Sequence, residues 1–246
     1  MDSRSLLAGL GVGALMLLGA VSPLAGTAQA QTAAVDPANY SAIIDHPLFP
    51  LSGMAPKILA GASRDTATGQ ISKERVELRV SPATEIVAGV AVTVLEEFGY
   101  VDGQLDEHSR DYFAQAKDGT VYLFGERVDH FQDGALVEQP GTWLVGQDVS
   151  TPMVYLPAEL AVDQTFVPED VPGLVKDVAT VVALDQSVST AAGVFTGCAI
   201  LRVADDQGDV VDRSLCADVG LVQELAAVQD EAPQGGIELV KLGGWA

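Results

Sequence analysis

The clearest pattern along the chain is alternation. Glu74 to Ser81 reads ERVELRVS, in which Val76, Leu78 and Val80 alternate with Arg75, Glu77 and Arg79. Period two is the signature of a half-buried strand with one wet face. Three Asp-Gly steps follow, at residues 102–103, 118–119 and 133–134. Around them lie apolar-rich runs from Gly89 to Tyr100, Leu105 to Gln115, Thr120 to Phe131 and Ala135 to Val145. Asp-Gly suits a two-residue hairpin turn, because both central positions need positive φ. Residues 84–146 therefore predict a four-stranded antiparallel meander.

The remaining segments extend this reading. Lys57 to Ser63 predicts a strand before the meander. Val175 to Ser189 predicts either a strand pair or one long bent strand. Gly193 to Ala204 and Val210 to Ala217 form a hairpin about the Asp205-Asp206-Gln207-Gly208-Asp209 turn. Val219 to Val228 and Ile237 to Leu242 close the chain. Residues 151–176 are less regular, with Pro152, Pro157, Pro168 and Pro172, and Ala158 to Ala161 predicts a short helix. Residues 31–56 carry Pro37, Pro47, Pro50 and Pro56, which oppose regular pairing. They read as an extended arm pinned by Leu48, Phe49 and Leu51. The expected fold is mainly β: a single antiparallel β domain over residues 57–246, built on the meander as a curved open sheet or a partly closed barrel.

Ahead of the arm the pattern changes. Met1 to Ser5 is polar with one Arg, Leu6 to Val21 is uncharged and apolar, and Ala28-Gln29-Ala30 follows Pro23. This is the order of a secretory signal peptide over residues 1–30, cut after Ala30 to leave Gln31 first. The apolar run falls short of the roughly 20 residues that span a bilayer, and no later segment is apolar enough. A soluble periplasmic or extracellular protein is expected, with no transmembrane segment after cleavage.

Charge narrows the partners. The net charge is −21, and loss of residues 1–30 removes one acid (Asp2) and one base (Arg4), leaving it unchanged. Nucleic acid and anionic membranes are bound through a basic footprint, so neither is an expected partner. Acidity of this degree keeps a protein soluble and attracts cations. Export permits a disulfide. Cys198 and Cys216 are the two cysteines, each nine residues from Gln207. In a hairpin centred there they face each other at bonding distance. The spacing fits neither a Cys-x-x-Cys redox pair nor a zinc site.

Several stretches occur together in a telling order. Asp111-Tyr112-Phe113-Ala114-Gln115 precedes Lys117-Asp118-Gly119-Thr120-Val121-Tyr122-Leu123-Phe124-Gly125-Glu126, then Gly141-Thr142-Trp143, Gly193 to Cys198 and Val219-Gly220-Leu221-Val222. In this order they resemble a group of secreted bacterial β-rich proteins with a YAQ/DG/FGE core and a closing GVGLV-like strand. The resemblance covers roughly residues 70–228. It departs at Leu215 and Asp218, where an aromatic and a Gly are more usual in the group. It implies fold and compartment, and no reaction.

Candidate chemistry is sparse. His46 adjoins Asp45, His108 follows Glu107, and His130 follows Asp129. No Gly-x-Ser-x-Gly elbow occurs, and Ser109 and His108 as strand neighbours point to opposite faces. His108 and Arg110 share one strand face; Glu107, Ser109 and Asp111 share the other. His108, His130 and Asp129 are the candidate metal ligands, without a His-x-His pattern to support zinc. Asp205, Asp206, Asp209 and Asp212 lack the spacing of an EF-hand and read as a solvated turn. Tyr112, Tyr122, Phe124 and Trp143 are candidate ligand-binding aromatics, with Tyr122 and Phe124 on one face. No cofactor is implied. The leading expectation is a non-enzymatic binding or carrier module for a small or hydrophobic ligand in the cell envelope. A structural or interaction protein bound to an envelope protein comes next, and a hydrolase of an envelope polymer last.

Overall fold

The computed structural model describes residues 35–65, 68–139, 141–227 and 235–243; the signal-peptide segment 1–30 lies outside them. Strands dominate. In chain order they are β1 (Tyr40–Ser41), β2 (Lys57–Arg64), β3 (Ile71–Val80), β4 (Glu85–Val87), β5 (Val90–Val101), β6 (Gln104–Ala116), β7 (Val121–Gln132) and β8 (Ala135–Glu138). They continue as β9 (Trp143–Leu144), β10 (Met153–Leu156), β11 (Thr165–Val171), β12 (Val175–Thr190), β13 (Gly193–Asp205), β14 (Val210–Cys216), β15 (Gly220–Ala226) and β16 (Gly235–Leu242). Two short 3-10 turns, Pro37–Asn39 and Leu51–Gly53, interrupt the arm.

All the strands join one antiparallel sheet. Its path runs β10-β7-β6-β5-β3-β2-β16-β15-β14-β13-β12-β11, with β1 on β6, β4 on β5, and β8 and β9 on β7. The path is not closed into a barrel by a backbone ladder. Its two ends nevertheless meet. β10 and β11 are joined by residues 157–164, and the Asp170 N–H of β11 donates to the Met153 sulfur of β10 at 3.0 Å. The sheet therefore curls almost fully around, leaving a seam between β10 and β11.

Local chemistry explains most of the turns. Asp102 and Gly103 have φ of 50° and 85°, and Asp133 and Gly134 have 52° and 77°, the paired positive values of the predicted hairpin turns. Asp118 departs from this pattern: only Gly119 is left-handed, at 96°, and the Asp118 carboxylate caps the Thr120 N–H instead. The predicted strand from Ala135 to Val145 is split into β8 and β9, with left-handed Gly141 between them. Residues 158–161 form no helix. Val175 to Ser189 is one long strand bent by three register shifts. Cys198 and Cys216 are direct register partners and are disulfide-bonded.

Curling buries one face of the sheet. Leu59, Leu78, Leu95, Phe113, Leu215 and Leu239 fill part of it. Phe49 from the arm packs there against Phe113 and Tyr155, with ring centroids 5.0 and 4.9 Å away. A cavity between Phe49, Met54, Lys57, Leu78, Leu95 and Leu221 measures about 10 Å³. That is room for one water at most.

Candidate functional site

The other part of the inward face is acidic. Along β6, alternation turns Glu107, Ser109, Asp111 and Phe113 inward and His108, Arg110 and Tyr112 outward. Register then aligns a polar row. Asp111 lies opposite Glu126 of β7, and Glu126 lies opposite Trp143 of β9. The Trp143 indole N–H donates to the Glu169 carboxylate of β11, and Glu169 lies opposite Asp177 of β12. The row thus crosses the seam. Glu97, Glu107, Asp111, Glu126, Glu169, Asp177 and Glu224 are all buried, each with no more than 8% exposure. Arg213, also buried, donates from Nε to Glu224 at 2.7 Å.

One arginine cannot balance seven carboxylates, so the cluster holds protons. Both oxygens of Asp111 and of Asp177, and one each of Glu126 and Glu169, have no hydrogen bond among the described residues. Burial, then the neighbouring Glu97 and Glu169, raises Asp111 well above the carboxylate range. Burial, then Glu169 and Asp111, does the same for Glu126. Burial and the adjacent Asp177 push Glu169 up to about 8. Burial lifts Asp177 to about 6, with Arg213 opposing. Arg213 stays charged: burial works against its cation, but Glu224, Tyr155 and Asp177 more than offset it. Sequence reasoning found the shared parity of Glu107 and Asp111. It missed that this face is the interior, because alternation does not say which face closes.

The outward face of the same strands is basic and aromatic. Across β3, β5, β6 and β7 one register row reads Arg79, Glu96, Arg110, Arg127, and the next reads Glu77, Phe98, His108, Asp129. Arg79 bonds Glu96 at 2.6 Å and lies 4.4 Å above the Phe98 ring. Phe98 stacks on His108 at 4.2 Å, Arg75 sits 4.0 Å above Tyr100, and Arg110 pairs with Asp129. Arg127 is exposed and directly opposite Arg110. It meets the face of Tyr112 at 5.8 Å, and no carboxylate pairs with it among the described residues.

The candidate residues from the sequence are distributed rather than gathered. His108 and Asp129 share the outward face, whereas His130 points inward, its Nε2 3.4 Å from Glu107. The three therefore do not converge. No group of three His, Cys, Asp or Glu side chains among the described residues could hold a metal ion. Tyr122 and Phe124 do share a face, where Tyr40 of the arm packs edge-on against both at 5.5 and 5.1 Å. Tyr112 lies on that outward face but is buried, and Trp143 is buried in the interior row. Asp205, in the acidic turn, accepts the Gln207 and Asp209 N–H groups at 2.9 and 2.8 Å. His46 is held by the backbone: Leu48 N–H donates to Nδ1 at 3.2 Å, so Nε2 carries the proton and donates to Pro157 O at 3.1 Å.

The glycines of the recurring motifs have physical work here. Gly125, at φ 149°, lets β9 approach β7; a Cβ there would lie 2.6 Å from Trp143 O. Gly220, at φ 79°, leaves space beside Lys57, whose ammonium donates to Val219 O at 2.6 Å and Leu221 O at 3.1 Å. Lys57 is buried with no carboxylate paired to it among the described residues, and desolvation lowers its pKa to about 7.

No protein-family model and no curated protein sequence matches the chain. Among solved structures, a Bacteroides fragilis protein of YmcC-like fold, provisionally assigned as exported, aligns with a TM-score of 0.46 at 12% identity, covering 77% of this chain and 95% of that one. A Parabacteroides distasonis protein provisionally assigned as a lipoprotein aligns with a TM-score of 0.42 at 10% identity, covering 80% and 98%.

Proposed function

We propose that the chain is an exported, non-enzymatic interaction protein of the cell envelope, and that it binds an anionic partner through the outward face of β3, β5, β6 and β7. One observation carries the reading: Arg110, half-buried, and Arg127, exposed, lie directly opposite each other on the outward side of β6 and β7. Like charges in that position are destabilising by themselves. Asp129 offsets Arg110, and Arg127 is left facing solvent beside it. A carboxylate or phosphate seated between the two would gain charge-assisted hydrogen bonds from both. Arg75 and Arg79 lie farther along the same face, stacked on Tyr100 and Phe98 but already paired with Glu77 and Glu96, so the uncompensated charge is that of Arg127.

The small cavity beneath Phe49 favours this reading over a small-molecule carrier held there. A ligand pocket is typically hundreds of Å³, and the cavity beneath Phe49 is about 10 Å³. Export is supported by the order of residues 1–30 and agrees with the disulfide.

The test is binding of the mature protein to polygalacturonate and to poly-glutamate at low and high salt. The wild type should bind at least one of them, with affinity falling as salt rises. Arg127→Glu, which places a carboxylate where the ligand's would sit, should abolish binding without altering the fold. Equal binding by wild type and Arg127→Glu, or none by the wild type, would remove the reading.

A further inference from the structure

The seam is the weakest line in the sheet. Every other junction along the main path is an antiparallel backbone ladder. At β10–β11 the bond is the Asp170 N–H to Met153 sulfur contact, and beside it the Trp143 indole of β9 reaches Glu169 of β11. Each shore is anchored away from the line. The connection 157–164 is tied to the arm through His46 on one side, and to β12 through the Asp163 N–H to Val181 O bond, 2.9 Å, on the other. The two strands can therefore part while the connection keeps its ends in place.

The charge beneath this line is one-sided. Asp111 of β6 and Glu126 of β7 face Glu169 across the line, and Glu97 of β5 and Glu107 of β6 stand behind them. Tyr155 of β10, Asp205 of β13, Asp206 in the turn beyond it, and Glu224 of β15 complete the acidic set. Arg213 of β14 is the cation among them, already engaged by Glu224, and His130 lies at the far side on Glu107. Each proton lost from the row adds a negative charge whose counter-charge is Arg213, already engaged by Glu224. Repulsion and the drive to hydrate the new carboxylates both act across the seam, where separation breaks no backbone ladder.

We propose that the β10–β11 seam is a gate that parts when the interior carboxyl groups lose their protons, opening the acidic interior to water. The proposal does not depend on what the outward face binds. In acid the row is neutral and the gate is shut, with Trp143 buried against Glu169. As protons leave Glu169 and Asp177, Trp143 loses its packing before the ladders on either side yield.

Trp143 reports on this directly. With the chain's other tryptophan replaced (Trp245→Phe), quenching of Trp143 by neutral acrylamide is measured from about pH 5 to about pH 9, with far-UV circular dichroism alongside. The quenching constant is expected to rise at least about threefold, as for a local opening, while the dichroism stays constant. Glu169→Gln with Asp177→Asn keeps the shape and the acceptor for Trp143 but cannot ionise; it should flatten the profile. A flat profile in the parent, or the same rise in the double variant, overturns the gate. Hydrogen exchange of the unsubstituted protein, corrected for intrinsic rate, supplies a check free of variants. Protection in β10 and β11 should fall with rising pH while β5 and β6 stay protected; uniform protection at both pH values also overturns the gate.

Discussion

Arg213 Nε donates to Glu224 Oε2 at 2.7 Å, with both side chains buried in the acidic interior. The arginine does more than pair with Glu224, since its charge also favours the ionised forms of Asp111, Glu169 and Asp177 against their mutual repulsion. Arg213→Met should therefore cost more than Glu224→Gln. Removing one partner of a buried pair typically costs about 3–5 kcal/mol, and here further buried acids lose their counter-charge. Glu224→Gln leaves Arg213 with Asp177 and the other acids, so its loss should be smaller. Urea denaturation of the two variants and the double variant checks the order; equal losses would show that Arg213 serves Glu224 alone.

Stability should fall as pH rises from the ordinary carboxylate range to about 8. Glu169 and Asp177 titrate at about 8 and about 6 in the folded chain, and Asp111 and Glu126 are raised also. A raised folded pKa means that the native state holds protons the unfolded chain releases. Its contribution is complete below the unfolded value and is lost as pH climbs through the folded one, each tenfold difference in proton affinity being worth about 1.4 kcal/mol. Lys57 acts oppositely in a higher window. Its pKa is lowered to about 7, so its cost is fully present below that value and is relieved as pH rises toward the ordinary lysine range. Urea midpoints across pH should decline toward 8, and Lys57→Met should remove any recovery above it. A midpoint that climbs steadily from acid to neutral contradicts the protonated interior.

The disulfide should contribute by restricting the unfolded chain. Cys198 and Cys216 are separated by 18 residues, and a loop of that size is worth roughly 3 kcal/mol in the chain-entropy model. Because the two are register partners on adjacent strands, Cys198→Ser with Cys216→Ser should keep the β13–β14 ladder and lose stability only. Circular dichroism of the native state should be unchanged while the urea midpoint drops. Loss of the native spectrum would instead make the bond a condition of folding.

Much of this architecture is legible in the sequence, for reasons that also mark where legibility ends. Period-two alternation places Val76, Leu78 and Val80 on one face, and Asp-Gly at 102–103 and 133–134 fixes two hairpins, since both are local rules. The symmetric placement of Cys198 and Cys216 about Gln207 predicts their pairing by counting. β10 and β11 are hidden because Pro152, Pro157, Pro168 and Pro172 obscure short strands that exist only by docking on β7 and β12. The acidic interior is hidden for a different reason. Glu107, Ser109 and Asp111 look like a wet face, and only curling of the whole sheet turns them inward. No local pattern carries that, because it depends on the meeting of β10 with β11. The basic outward row is equally invisible, since it needs the register of four strands.

Gly125 offers a sharp test of how the interior row is built. A Cβ there would stand 2.6 Å from the Trp143 carbonyl oxygen and 2.6 Å from Leu144 Cδ2, and the residue sits at φ 149°. The clash is with backbone, so β9 itself must move, and β9 is what seats Trp143 opposite Glu126 and against Glu169. Gly125→Ala should cost about 3 kcal/mol or more, combining a strained backbone with lost core packing, and should shift Trp143 emission to the red. Gly134→Ala is the matched control. It is also left-handed, at φ 77°, but nothing lies within 4 Å of its added methyl. Its cost should stay near the conformational penalty alone, about 1 kcal/mol, with emission unchanged. If the two variants lose equal stability and leave the emission alike, then close approach of β9 to Gly125 is not what positions the tryptophan.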